Sequence, residues 1–165
     1  MATGLEILVI VLLVLLNGAF AMSELAVVSA RRGRLLAMQR TGSAGAAAAI
    51  ALAEDPQRFL PTVQVGITLV GILAGVFGGA RLSARFGAWL AQFPAVAPFA
   101  ESLALAAIVV LTTYLSLILG ELVPKQLALR QPERVAVAVA RPLALLARVS
   151  GPVIWLLGKS SALVM

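Results

Sequence analysis

The sequence predicts an all-α integral membrane protein: three transmembrane helices plus short cytoplasmic-side and juxtamembrane amphipathic helices. Three observations carry this fold class. Of 165 residues, 61% are hydrophobic and only 12% are charged, against roughly 45–50% and about 25% in soluble domains. Three apolar runs reach the ~20 residues needed to cross a hydrocarbon core. The Lys and Arg residues are distributed unevenly, with five between the first two runs, two between the second and third, and six after the third. The positive-inside rule then puts the N-terminus outside and the C-terminus in the cytoplasm of a multi-pass cell (inner or plasma) membrane protein. At this length, residues 1–165 are expected to form one compact domain.

The first span covers about 5–28. Its opening half, Ile7 to Leu16, is almost entirely Val, Leu and Ile. The run is too long for a cleavable signal, and Glu6 stands where such a signal is basic. Arg31, Arg32, Arg34 and Arg40 come next and set the orientation. Residues 42–55 are alanine-rich and helix-prone. They predict a short cytoplasmic-side helix, with Gly42 and Ser43 as start signals and Asp55-Pro56 as the break. The second span covers about 59–80 and contains Gly71, Gly75 and Gly79 at four-residue spacing. That small-residue face permits close helix approach. Gln64 and Thr68 share a face one turn apart, and either line a polar cavity or bond back to helix carbonyls.

Residues 81–100 predict an external interfacial loop or short helix anchored by Trp89, Phe93 and Phe99. The third span covers about 101–123, with Tyr114 and Glu121 seven residues apart on one face. Beyond it, residues 130–165 predict juxtamembrane amphipathic helices. Segment 132–149 is apolar enough for a fourth span, but Arg134, Arg141 and Arg148 recur every seven residues as a charged stripe. A helix lying on the cytoplasmic surface accommodates that stripe better. Pro152 and Trp155 mark a second interfacial piece.

Composition also excludes chemistries. There is no cysteine and no histidine, so thiolate catalysis, disulfides and zinc–cysteine sites are absent, as is the commonest general base. No enzyme activity is expected. The net charge of +6 belongs to the span flanks, and no nucleic-acid partner is expected.

Two stretches break the apolar pattern. Asn17-Gly18 and Ser23-Glu24 fall within the first span, and Ser116 and Gly120-Glu121 close the third. Ionisable groups at membrane depth are costly and default to functional candidates. All offer oxygen, the ligand of hard cations. Gly18 can loosen its helix. Pro124 cannot donate to the carbonyl of Gly120 four residues earlier, which frees that oxygen. Unwound carbonyls hold ions in many transporters. A cation site drawing on Asn17, Ser23, Glu24, Ser116, Gly120 and Glu121 is therefore expected, the alternative being that Glu24 and Glu121 pair with interfacial arginines.

Four motifs occur in order: Asn17-Gly-x-Phe20-x-x-Ser23-Glu24-x-Ala26, Asp55-Pro56-x-x-Phe59-Leu60, Gln64-Val65-Gly66-Ile67-Thr68-Leu69 and Gly120-Glu121-x-x-Pro124-Lys125. In this the chain resembles the CorC/cyclin M (CNNM) transmembrane domain over nearly its whole length. The resemblance implies a homodimeric, three-span magnesium transporter that exports Mg²⁺ from the cytoplasm in exchange for Na⁺. It also implies a cytoplasm-facing acidic cavity, a juxtamembrane belt, and C-terminal CBS and CorC-type regulatory domains beyond Met165. Ser23, Glu24, Gly120 and Glu121 match the family's site motifs, with Asn17 carried over beside them. Ala21 departs from the pattern, since relatives often carry a serine there. The competing expectation is a membrane anchor and dimerisation module that transports nothing itself.

Overall fold

A computed structural model describes residues 2–164, apart from the side chains of residues 2, 3, 78, 80, 81, 161 and 164. Met1 and Met165, the ends of the expected 1–165 domain, lie outside the described residues. The chain is helical almost throughout, with no strand among the described residues. Its helices are α1 (Ala2–Ser29), α2 (Arg32–Arg40), α3 (Ala44–Glu54), α4 (Pro56–Leu90), α5 (Ala100–Leu117), α6 (Val123–Arg130), α7 (Pro132–Val149) and α8 (Gly151–Val164). A 3-10 turn, Ala97–Phe99, precedes α5, and a π-helical turn, Ile118–Leu122, joins α5 to α6. Three stretches are long and apolar enough to cross a membrane: Gly4–Ser29, Pro56–Leu90 and Ala97–Arg130. Contacts divide the chain into two compact units rather than one. The first holds residues 1–18 and 68–123, the second residues 19–67 and 124–165.

In the first unit, α4 runs on to Leu90 instead of ending near Ala80, and the expected connection shrinks accordingly. The reason is local: after Pro61 no proline occurs until Pro94, and the intervening glycines only weaken a helix. Phe86 stacks on Trp89 at 5.6 Å, and Trp89 meets Phe93 edge-on at 5.1 Å. A Cβ on Gly87 would touch Ala104 at 3.5 Å, so glycine lets α4 and α5 approach there. Gly71, Gly75 and Gly79 have open space where a Cβ would stand. Within the described residues, the small-residue face of α4 packs against nothing at those positions.

The π turn is the main irregularity. The amide of Val123 donates to the carbonyl of Ile118, five residues back. One extra residue in the turn takes the residues within it off the α-helical repeat of α5. The face expected to join Tyr114 to Glu121 is thereby broken: Tyr114 is 60% exposed, whereas Glu121 is half-buried.

The second unit is a compact packing of small residues. Its core joins Ala26, Val27, Leu35, Ala49, Leu52, Phe59, Val63, Ala128, Ala136, Ala140 and Leu143. The basic block after α1 proves to be a helix of its own, α2. Gly42 ends it rather than starting the next one. Its φ is +90°, its amide donates to the Gln39 carbonyl, and that of Ser43 donates to the Met38 carbonyl. This is a Schellman close, in which a left-handed glycine satisfies the last carbonyls. Helix α3 then packs on α7 at backbone distance. A Cβ on Gly45 would lie 2.2 Å from the Val137 carbonyl oxygen, so only glycine fits. Segment 132–149 therefore presents its alanine face, Ala136, Ala140 and Ala147, to the interior of this unit.

Glu133 anchors the start of α7. It lies in the helix's first turn behind Pro132 and is only 6% exposed. Its carboxylate accepts the Arg31 amide at 3.3 Å and faces the Arg34 guanidinium at 3.6 Å. Burial raises its pKa, but its own backbone amide, the Arg31 amide and the Arg34 and Arg31 charges outweigh that and hold it below the ordinary 4.5. A depressed folded pKa contributes stability that is complete above the ordinary glutamate value and is lost as pH falls through the folded one.

Thermal unfolding in detergent tests both features. Gly45→Ala is expected to lower stability by about 2 kcal/mol or more, since overpacking against backbone cannot relax by a rotamer change. Glu133→Gln is expected to flatten the loss of stability below pH 4.5 while keeping the fold; an unchanged acid limb would show that Glu133 does not carry it.

Candidate cation site

Helix α1 stays continuous through Asn17-Gly18, contrary to the expected loosening. The Asn17 side chain is occupied elsewhere: its Nδ2 donates to the Gly120 carbonyl at 3.1 Å. That carbonyl is the one Pro124 deprives of a donor four residues on. A buried carbonyl without a partner is costly in an apolar span, and Asn17 relieves it. The contact requires glycine, because a Cβ on Gly120 would meet Asn17 Nδ2 at 3.2 Å and the Val14 carbonyl oxygen at 3.5 Å.

Only the NH₂ of an amide can donate to a carbonyl, so this bond fixes the amide's orientation. Asn17 Oδ1 is consequently turned away, buried and without a hydrogen-bond partner. An unsatisfied buried acceptor costs about 1–3 kcal/mol, and a cation or a ligand donor would remove that cost. Asn17 borders a cavity of about 360 Å³ in the first unit. Thr112, Thr113, Ser116 and Glu121 add oxygens to its wall, while Ile10, Val11, Val14 and Leu15 make it largely apolar. Gly71 and Gly75 line it too, which gives the small-residue face of α4 a second use as an open wall. Thr112 donates to the Ile108 carbonyl at 2.7 Å. Among the described residues no three acidic side chains converge. Any ligand of this cavity meets one carboxylate and several neutral oxygens.

Four expected site residues, Asn17, Ser116, Gly120 and Glu121, thus belong to one unit. Ser23 and Glu24 belong to the other. Ser23 is 3% exposed, and its hydroxyl donates to the Ala19 carbonyl one turn back. Glu24 is half-buried. In the same unit, a Cβ on Gly66 would meet the Phe20 ring at 3.0 Å, so Gly66 serves packing against the aromatic residue of the first motif. Gln64 and Thr68 are exposed. Thr112 and Thr113 do not stand out in the sequence, because threonine inside a span is ordinarily a back-bonded helix residue. The orphaned Asn17 Oδ1 likewise has no sequence signal.

Comparison with known proteins places this all-helical domain, with its oxygen-bearing cavity beside a π turn, in a family. Residues 8–165 match the CNNM family, described as the cyclin M transmembrane N-terminal domain. The chain belongs to that family. It is 46% identical over 157 residues to UPF0053 protein sll0260 of Synechocystis, covering 95% of this chain and 35% of that protein. It is 29% identical over 158 residues to the polyamine export protein of Haemophilus influenzae, covering 90% of this chain and 34% of that protein. Against the polyamine export protein of Escherichia coli it is 29% identical over 150 residues, covering 91% and 33%. The chain therefore spans about a third of the length of these relatives.

Gly120→Ala tests the geometry. It is expected to push the Asn17 amide off the Gly120 carbonyl and cost about 1–2 kcal/mol of stability, read as a lowered melting temperature. An unaltered melting temperature would show that the contact contributes nothing.

Proposed function

We propose that this chain is the membrane domain of a cation exporter and that Mg²⁺ is its cargo, moved out of the cytoplasm in exchange for Na⁺. The observation that carries this is the buried, unpartnered Asn17 Oδ1 on the same cavity wall as Ser116 and Glu121. Mg²⁺ takes six oxygens at about 2.0–2.1 Å and usually keeps several waters, using only one or two carboxylates. Asn17 Oδ1, Ser116 Oγ and a Glu121 carboxylate oxygen suit a partly hydrated ion. The Gly120 carbonyl, which accepts from Asn17 Nδ2, adds a fourth oxygen. Ser23 and Glu24 enter the proposal only through the family motif they match. A weak, water-rich site matches an exporter, which must release its ion.

Family membership supports the remaining features. Two copies form the working unit, with N-termini outside and C-termini in the cytoplasm, and CBS and CorC-type domains come after this one in the full-length protein. The exposed Gly71, Gly75 and Gly79 face is available to a second copy.

A second cargo is supported by a specific observation. The cavity wall is mostly apolar with a single carboxylate, which fits the methylene chain and ammonium groups of a polyamine as well as a metal ion. Two relatives bear the name polyamine export protein. The two cargoes separate by direct measurement. Mg²⁺ is expected to raise the melting temperature of the detergent-solubilised chain, and Glu121→Gln to abolish that rise. Stabilisation by spermidine but not by Mg²⁺ would replace the metal with the polyamine. The absence of both, together with no flux in proteoliposomes, would leave a membrane anchor.

A further inference from the structure

A second cavity, of about 190 Å³, opens in the second unit where α4 begins, and no candidate cation ligand lines it. Arg58 of α4, Arg148 of α7 and Asp55 line its rim, with Leu52, Phe59 and Ala147 as its apolar floor. Among the described residues neither guanidinium has an ion-pair partner. The Asp55 carboxylate accepts the backbone amide of Arg58 at 3.3 Å and serves the start of α4. The three charges sum to +1, which is the complement of one phosphodiester.

The site's position selects among phosphates. Arg58 is in the first turn of a stretch apolar enough to span a membrane, immediately before Phe59, so its guanidinium stands where that helix leaves hydrocarbon for headgroups. On α8, in the same unit, Lys159 lies 4.6 Å from the Trp155 ring, the pairing of an interfacial anchor. Basic pockets at this depth suit lipid headgroups, and the apolar floor suits the acyl chain attached to one. We propose that Arg58 and Arg148 form a binding site for an anionic phospholipid, which joins the α4 entry to the end of α7. The site takes phosphatidylglycerol in preference to a zwitterionic lipid or free phosphate. It is independent of the chain's transport cargo.

The test uses the purified chain in neutral detergent, with lipid retention read by native mass spectrometry and stability by thermal unfolding. Phosphatidylglycerol is expected to remain bound and to raise the melting temperature. Phosphatidylcholine and sodium phosphate are expected to do neither. Each guanidinium near an anionic headgroup contributes about fivefold in affinity, so the Arg58→Gln/Arg148→Gln double variant is expected to bind roughly 25-fold more weakly. Arg40→Gln, on an exposed end of α2 outside the cavity, is expected to bind normally. Equal retention of both lipids, an equal shift with sodium phosphate, or full retention by the double variant would overturn the proposal. Should the double variant fail to fold, the lipid and phosphate comparisons on the native chain decide alone.

Discussion

Within an apolar span no water is at hand to satisfy a backbone carbonyl, and the Gly120 carbonyl illustrates how much depends on that. Pro124 deprives it of its helical donor, and the Asn17 amide supplies another at 3.1 Å. The cost passes to the other end of the same side chain, whose oxygen is left buried and unpaired. Gly120 has to be glycine for α1 to come this near. Glu121, in the adjoining π turn, and Ser116, at the end of α5, line the same cavity. One missing proton on a proline thus leads, through two hydrogen-bonding constraints, to a cluster of oxygens suited to a cation.

The second unit is held together differently. Its helices combine a core of Phe59, Leu35 and Leu143 with close backbone approach, alanine and glycine allowing α3 and α7 to touch. Such packing has little tolerance for added volume. Its polar fastening is equally specific. Glu133 ties the start of α7 to the turn between α1 and α2, and a charged group so buried is held in place by amides and guanidiniums together. The Arg32–Glu54 pair at 2.7 Å is shorter, but both partners are exposed, so it is worth little. Distance ranks these two pairs in one order and burial in the other, and burial decides.

The chain belongs to the CNNM family, and two of its relatives are named as polyamine export proteins. The cavity in the first unit combines a single carboxylate, neutral oxygens and apolar walls. Small shifts in the wall residues, such as Thr112, Thr113 or Ile10, would change that balance without altering the fold.

Much of this was legible in the amino-acid order. Apolar run lengths identify three membrane-spanning helices because the bilayer imposes a minimum length. Asp55-Pro56 marks a helix boundary because proline restricts the residue before it. Asn17, Gly120 and Glu121 stand out because polar groups in apolar runs are expensive. Other features were not legible. Helix α4 outlasts its membrane run because helicity outside hydrocarbon depends on propensity and aromatic stacking, not on hydropathy. Gly42 closes a helix rather than opening one, since the same residue type serves both ends. The sequence by itself determined the helices and their cost-bearing polar residues, for those depend on local chemistry and a uniform solvent. Only the tertiary structure decided that the Asn17 amide faces the Gly120 carbonyl and that its oxygen is left unpaired. A hydrogen bond between residues 103 positions apart is a fact of packing, which no local pattern encodes.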